Sequence, residues 1–326
     1  MKRRHAVDMG RRSGLSARPS RNPHDTEPPM SHAVGYSLPL SAREDLPRAL
    51  DEAAAHRADS VELPAFGWDL VVGGRLLEAR VEALAEDLVD RPFGYSVHGV
   101  LGVNFMDAAD RLHLHDRVAR ANIEIAARLG ARHLVLHAGL CPDDGAPAIT
   151  ERYARQRDHL ARLGDVAGAR GVVICVENVF SLGGLHTATP ARLAEELDRL
   201  DHPAVRATFD ISHGALQSAI AGADFLEEAA ALAPFARHLH VHDSFALPFD
   251  FWTMHPSEQM AFGIGDLHMP LGWGDLPFDR LARTCAFPKD AVFNIELNPR
   301  HWSELAETLA ATRAFATLAS RAAHES

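Results

Sequence analysis

Nine side chains able to bind a divalent metal recur in one kind of place, at or just past the end of a short apolar run. They are His98 in YSVHG, His137 in LVLHAG, Glu177 in VICVENV, Asp210 and His213 in ATFDISH, His240 in HLHVHDS, Asp266 and His268 in GDLHMPLGWG, and Glu296 in FNIELNP. Imidazole and carboxylate are ligands for hard or borderline divalent ions. One histidine at a strand end is usually a hydrogen-bonded structural residue. Six successive runs ending this way are hard to obtain from packing alone. Polar groups gathered at the C-terminal ends of parallel strands are where barrel enzymes keep their chemistry.

The elements that must position these residues alternate regularly. Strands are expected at Ala33–Leu38, Ser60–Leu63, Phe93–His98, His133–His137, Val172–Glu177, Ala204–Asp210, His238–Val241 and Val292–Glu296. Most are Val/Ile/Leu/Phe runs without clean alternation, as strands covered on both faces should be. Helices are expected at Ser41–Ala55, with Ser41 as N-cap, and at Arg75–Val89, Leu112–Leu129 and Thr150–Ala169. Others are expected at Pro190–Leu200, Ala215–Leu232, Leu276–Ala286 and His301–Ala323. Gly130 and Gly171 have the placement of helix C-caps. Eight βα units predict an α/β fold, a single (β/α)8 TIM barrel over residues 31–326. An open doubly wound sheet is the competing arrangement, and no GxGxxG follows the first strand to support a dinucleotide site.

The chain has 326 residues, is 47% hydrophobic and carries a formal net charge of -11. It can bury a full core. The acidic balance gives no electrostatic footprint for nucleic acid, although a local basic face or bound cations would still be compatible with it. Cys141, Cys175 and Cys285 share no close spacing and make no disulfide framework, which fits a reducing cytoplasmic location. No apolar run approaches the roughly 18–20 residues that span a membrane. Residues 1–30 are rich in Arg, Pro, Ser and Gly, with no apolar segment of a secretory signal. They read as a disordered tail, a transit peptide being the other option.

One connection is long. Between Asp243 and Gly274 the chain carries Phe245, Phe249, Phe251, Trp252, His255 and Phe262. Long loops in compact domains are usually functional or disordered, and this one is too aromatic for a simple linker. It is expected to form a lid or pocket wall.

From Gly35 to Phe315 the pattern resembles the xylose isomerase-like TIM-barrel superfamily, which includes sugar and sugar-phosphate isomerases and epimerases and the endonuclease IV type of abasic-site nuclease. The carriers are ANIEIAARLGARHLVLHAG, VENV, FDISH, HVHDS and HMPLGWGDLPF, in that order. Each is weakly specific alone; their order and spacing together are strong. The sugar isomerases hold one divalent metal with Glu, Asp, His and Glu, positions that match Glu177, Asp210, His240 and Glu296. The endonuclease IV type adds five ligands, at positions that match His98, His137, His213, Asp266 and His268, and holds three zinc ions in all. All nine are present. The opening GYSLPLSAREDLPRALDEA departs from the endonuclease IV start, and its DNA-gripping loops are not recognisable in PAFGWDLVVGG.

The resemblance therefore implies a metal cofactor, Zn or Mn, in one to three ions, and two chemistries. The first is isomerisation or epimerisation of a small carbohydrate-like substrate, with Glu177 and Glu296 passing a proton between them. In it His213 holds a substrate oxygen, with Asn104, Asn178 and Trp252 as further substrate contacts. The second is multi-zinc phosphodiester hydrolysis. The missing DNA-binding start and the acidic balance favour the first. Asp107 is a loop residue with either role open, Asp243 is expected to cap a loop or orient a ligand, and Trp273 could stack on a sugar or pack in the lid. His133, His202, His238 and His242 read as structural. A homo-oligomer is compatible with all of this.

Overall fold

The structure, a computed structural model, describes residues 32–39, 43–249 and 252–325. The expected tail, the Ser41 cap and Phe251 lie outside the described residues. Eight parallel strands close a barrel: β1 (Ala33–Ser37), β2 (Ser60–Pro64), β5 (Gly94–His98), β6 (Ala131–His137), β7 (Val173–Glu177), β8 (Val205–Asp210), β9 (Ala236–Val241) and β10 (Val292–Ile295). All eight expected strands are present, and β1 pairs with both β2 and β10, which excludes the open sheet. Two further strands, β3 (Val71–Val72) and β4 (Arg75–Leu76), form a small antiparallel hairpin.

Helices α1 (Leu46–Ala55), α2 (Glu78–Asp87), α3 (Leu112–Arg128), α4 (Ala146–Gly168) and α5 (Pro190–Leu200) follow their strands. Then come α6 (Ile211–Ala221), α7 (Phe225–Leu232), α8 (Gln259–Phe262), α9 (Phe278–Thr284) and α10 (Leu305–Glu325). Two expectations are corrected. The helix foreseen from Arg75 begins later, because Gly73 and Gly74 take positive φ and turn the chain into the hairpin first. The single helix foreseen over Ala215–Leu232 is two helices. Gly222 ends α6 in the left-handed conformation, and the Asp224 carboxylate accepts from Leu226 N and Glu227 N to start α7.

The helices cover the barrel's outer face with an apolar shell that includes Val81, Ile123, Leu163, Leu197 and Leu281. The lumen is different. Side chains two apart on a strand share a face, and the inward set includes Ser37, Glu62, Ser96, His238, His240 and Asn294, which touch one another. Barrel interiors are usually filled by branched apolar layers; here the upper lumen is polar. The long connection after β9 is fastened back by bridges between Asp243 and Met269 and between Leu247 and Ile264.

Candidate metal centre at the barrel mouth

Glu177 ends β7, Asp210 ends β8 and Glu296 directly follows β10, while His240 lies one residue from the end of β9. Strand register sets His240 beside Asp210 on one side and Asn294 on the other. Its Nδ1 lies 3.3 Å from Glu177 Oε1, 3.7 Å from Asp210 Oδ2 and 3.4 Å from Glu296 Oε2. One small volume thus receives all four groups.

The other five candidates surround it. His98 Nε2 and His137 Nε2 approach the second oxygen of Glu177, Oε2, at 3.3 and 3.5 Å. On the far side His213 Nε2 and His268 Nε2 lie 3.1 and 2.7 Å from Asp266 Oδ2, and His213 Nδ1 lies 3.2 Å from Glu177 Oε1. The ligand atoms of His98, His137 and Glu177 fall within 4.8 Å of one another, as do those of His213, Asp266 and His268. Glu177 therefore faces two groups at once.

The surrounding bonds aim these rings. His268 Nδ1 bonds the Glu296 carbonyl at 2.9 Å, leaving Nε2 toward Asp266, and His98 Nδ1 bonds the Gly99 carbonyl at 3.2 Å, leaving Nε2 toward Glu177. A histidine whose outer nitrogen donates to a carbonyl presents its inner nitrogen as a ligand. His268 itself holds φ +47, a conformation rare outside glycine that persists where surrounding structure enforces it. Asn298 N donates to the His268 carbonyl at 3.0 Å, and the next residue, Met269, pairs through its backbone with Asp243. The Asp243 carboxylate accepts from the backbone N–H of Ser244, Gly272, Gly274 and Leu276 at 2.8–3.3 Å. A Cβ at residue 274 would stand 2.3 Å from the Ser244 carbonyl, so only glycine fits that approach.

Glu177 Oε1 and Oε2, His213 Nδ1, His240 Nδ1 and His242 Nδ1 are buried and take no hydrogen bond among the described residues. Buried polar atoms are normally paired. Lone pairs converging at these separations form a poor packing for bare side chains and a suitable donor set for a divalent cation, whose own bonds would be about 2.0–2.2 Å. The chain's residues fit such an ion.

In the metal-free chain the same groups pair as imidazolium and carboxylate. Burial raises the Glu177 carboxyl, but the His240 and His137 imidazoles outweigh it and hold it well below the usual range. Asp266 is likewise held low against burial by His268 and His213. Burial lowers His240, yet Glu296, Glu177 and Glu62 hold it well above its ordinary value. His268 is raised to about 10, against burial, chiefly by Asp266. His137 goes the other way; burial pushes it to about 4 and keeps it neutral at neutral pH.

Two contributors escape a reading of strand ends. Glu62, inside β2, lies 3.1 Å from His240 Nε2. His242 places Nε2 3.1 Å from Asp210 Oδ2 and stacks on His268 with ring centroids 3.9 Å apart. His242 lies just past the end of β9, so strand alternation does not signal its direction. Among the remaining candidates, Asn178 is buried and exchanges both polar groups with the Asp210 backbone. Asn104 bonds Leu140 O and Met106 N, and Asp107 bonds His115. Trp252 is 78% exposed. His202 sits on Asp165 away from the centre, and His133 packs edge-on to His238 in the lumen. Trp273 contacts His301 edge-on.

A cavity of about 260 Å³ opens beside the centre, lined by Ser37, Phe66, His98, His268 and Glu296 among others, with no Lys or Arg among its described walls. That is just under the roughly 300–1,000 Å³ usual for small-molecule sites.

The sequence profile described as a xylose isomerase-like TIM barrel matches residues 50–317. An uncharacterised protein of Methanocaldococcus jannaschii is 25% identical over 272 residues, covering 80% of this chain and 82% of the relative. A D-tagatose 3-epimerase-like protein superposes with a TM-score of 0.63 at 20% identity, over 90% of this chain and 98% of that one. The 3-keto-D-glucoside 4-epimerase of E. coli gives 0.61 at 16%, over 87% and 99%. A Thermus thermophilus protein soaked with zinc chloride gives 0.60 at 23%, over 86% and 98%. At these identities the superpositions establish the fold. Among the described residues no helix is long and apolar enough to cross a membrane.

Proposed function

We infer a function within the family to which this chain belongs, the xylose isomerase-like TIM barrels: it is a divalent-metal-dependent isomerase or epimerase of a small carbohydrate-like substrate. The observation that carries this reading is the approach of two carboxylates, Glu177 and Glu296, to the same atom, His240 Nδ1, at 3.3 and 3.4 Å. Zn or Mn suits the mixed imidazole and carboxylate set. When bound, the ion supplies polarisation of a substrate carbonyl, which acidifies the neighbouring C–H.

The chain's own groups do the rest. Glu177 and Glu296 remove a proton from carbon and return it, one as base and the other as acid. Asp210 and His240 would hold the ion, with Asn178 fixing the Asp210 backbone. His213, between Glu177 and Asp266, can hold a substrate oxygen. Leu38, Pro64 and Phe66 give the cavity an apolar wall beside the centre. The absence of Lys and Arg from the described walls suits a neutral substrate better than a nucleic-acid backbone.

A second reading, multi-zinc phosphodiester hydrolysis, is favoured by one observation: Glu177 turns one oxygen to the central group and the other to His98 and His137. A carboxylate shared by two ions is less free to act as a base. Counting ions per chain against activity separates the readings. The primary reading expects conversion of a ketose or keto-sugar to saturate at one ion per chain. Activity that requires two or three ions and cleaves a phosphodiester establishes the second.

A further inference from the structure

We propose that Glu62 positions His240 as a metal ligand by fixing which ring nitrogen carries the proton; this rests on the metal-centre reading above. Glu62 lies in β2, across the lumen from His240, and is fully buried. Its Oε1 accepts from Ser37 Oγ at 2.8 Å and Asn294 Nδ2 at 3.3 Å, and lies 3.1 Å from His240 Nε2. Its Oε2 accepts from Ser96 Oγ at 3.2 Å and lies 2.9 Å from His238 Nε2. Four hydrogen-bonding groups and the His238 imidazole thus surround one carboxylate, which leaves it engaged as an anion.

An ionised carboxylate only accepts hydrogen bonds. His240 Nε2 must therefore carry the hydrogen that points at Glu62. In a neutral ring the lone pair then falls on Nδ1, the atom that faces Glu177, Asp210 and Glu296. The opposite tautomer would direct a lone pair at an anion and an N–H at the metal volume, losing both interactions. The network reaches a second ligand as well, because Ser37 Oγ also lies 3.5 Å from Glu296 Oε1. Carboxylates behind metal-bound histidines orient the ring and strengthen it as a ligand, and their loss typically costs about 10–100-fold in metal affinity.

Glu62→Gln keeps the volume but offers an amide N–H that can face His240 Nε2 and favour the wrong tautomer. The test strips the full chain of metal and titrates Zn²⁺ against a fluorescent chelator, for wild type and Glu62→Gln. In parallel, long-range ¹H–¹⁵N spectra of the zinc-loaded wild type report the protonated nitrogen of His240. The proposal expects Zn²⁺ binding weakened about 10–100-fold in folded Glu62→Gln, and a proton on Nε2 in the wild type. Equal affinity in a folded variant, or a proton on Nδ1 in the wild type, overturns it. If the variant does not fold, the wild-type spectrum decides alone. A wild-type chain that binds no Zn²⁺ overturns the metal-centre reading first, and this proposal with it.

Discussion

Glu177 Oε1 lies 3.3 Å from His240 Nδ1, and neither atom takes a hydrogen bond among the described residues. Their close approach without an aligned hydrogen bond is what supports the proposed metal site at the mouth of the barrel. On the opposite side of the same volume, Glu296 is the partner expected to exchange the substrate proton with Glu177. Glu296→Gln keeps an oxygen for weak metal contact but cannot accept a proton. We expect a folded protein with turnover reduced by at least the roughly 10²–10⁴-fold that general acid–base groups contribute. Steady-state kinetics at saturating Mn²⁺ checks this; turnover within about tenfold of wild type contradicts the assigned role.

The outer groups predict a different phenotype. Asp266 joins His213 to His268 and makes no close contact with His240. Asp266→Ala should leave central binding intact, and should lower the number of ions bound at saturation only where the outer groups hold an ion of their own. Elemental analysis of the dialysed variant gives the count. Under the isomerase reading carbon-proton chemistry survives with a reduced rate; under the hydrolytic reading activity is lost.

Asp243 carries a stability prediction. It satisfies four loop N–H groups from a buried position. Asp243→Ala strands those donors and loosens the turn through Gly272 and Gly274. Bonds to a charged group contribute about 1.5–3 kcal/mol each. They are not additive, so a loss on the order of 3 kcal/mol is expected in urea unfolding. A change below about 0.5 kcal/mol, the ordinary range for surface substitutions, contradicts the assignment.

Much of this architecture is legible in the chain. The eight strands stand out because buried parallel strands need uninterrupted apolar runs, and the candidate ligands stand out because they break those runs. Glu62 does not, since Val61 and Leu63 flank it within the strand and its partner His240 is 178 residues away. His242 is hidden for another reason: it lies past the end of β9, where strand alternation no longer fixes direction, and loop packing turns it onto Asp210. The β3–β4 hairpin is obscured because Leu76 and Leu77 continue a helical spacing that the Gly73–Gly74 turn overrides.

His133 predicts how stability changes with acid. Burial, and next the nearby His238, push it from 6.5 down to about 3. Above pH 6.5 folded and unfolded chains both hold it neutral. As pH falls from 6.5 toward 3 only the unfolded chain takes the proton, so stability is lost across that window. At about pH 5 this amounts to roughly 2 kcal/mol, from about 1.36 kcal/mol per pH unit. The metal-free protein should lose that much more stability between about pH 7.5 and pH 5 than His133→Leu does. Parallel losses in both proteins, measured by urea unfolding, contradict the role given to His133.

The central claim is that this barrel moves a proton on carbon. The most direct measurement incubates the Mn²⁺-loaded chain with a panel of ketoses and keto-sugars in deuterated water and follows the C–H signals by NMR. The account predicts that one or more substrates exchange a carbon-bound hydrogen beside the carbonyl, and that Glu296→Gln does not support the exchange. Loaded protein that exchanges no such hydrogen across the panel, yet cleaves abasic-site DNA or a simple phosphodiester, contradicts the account and establishes the hydrolytic reading.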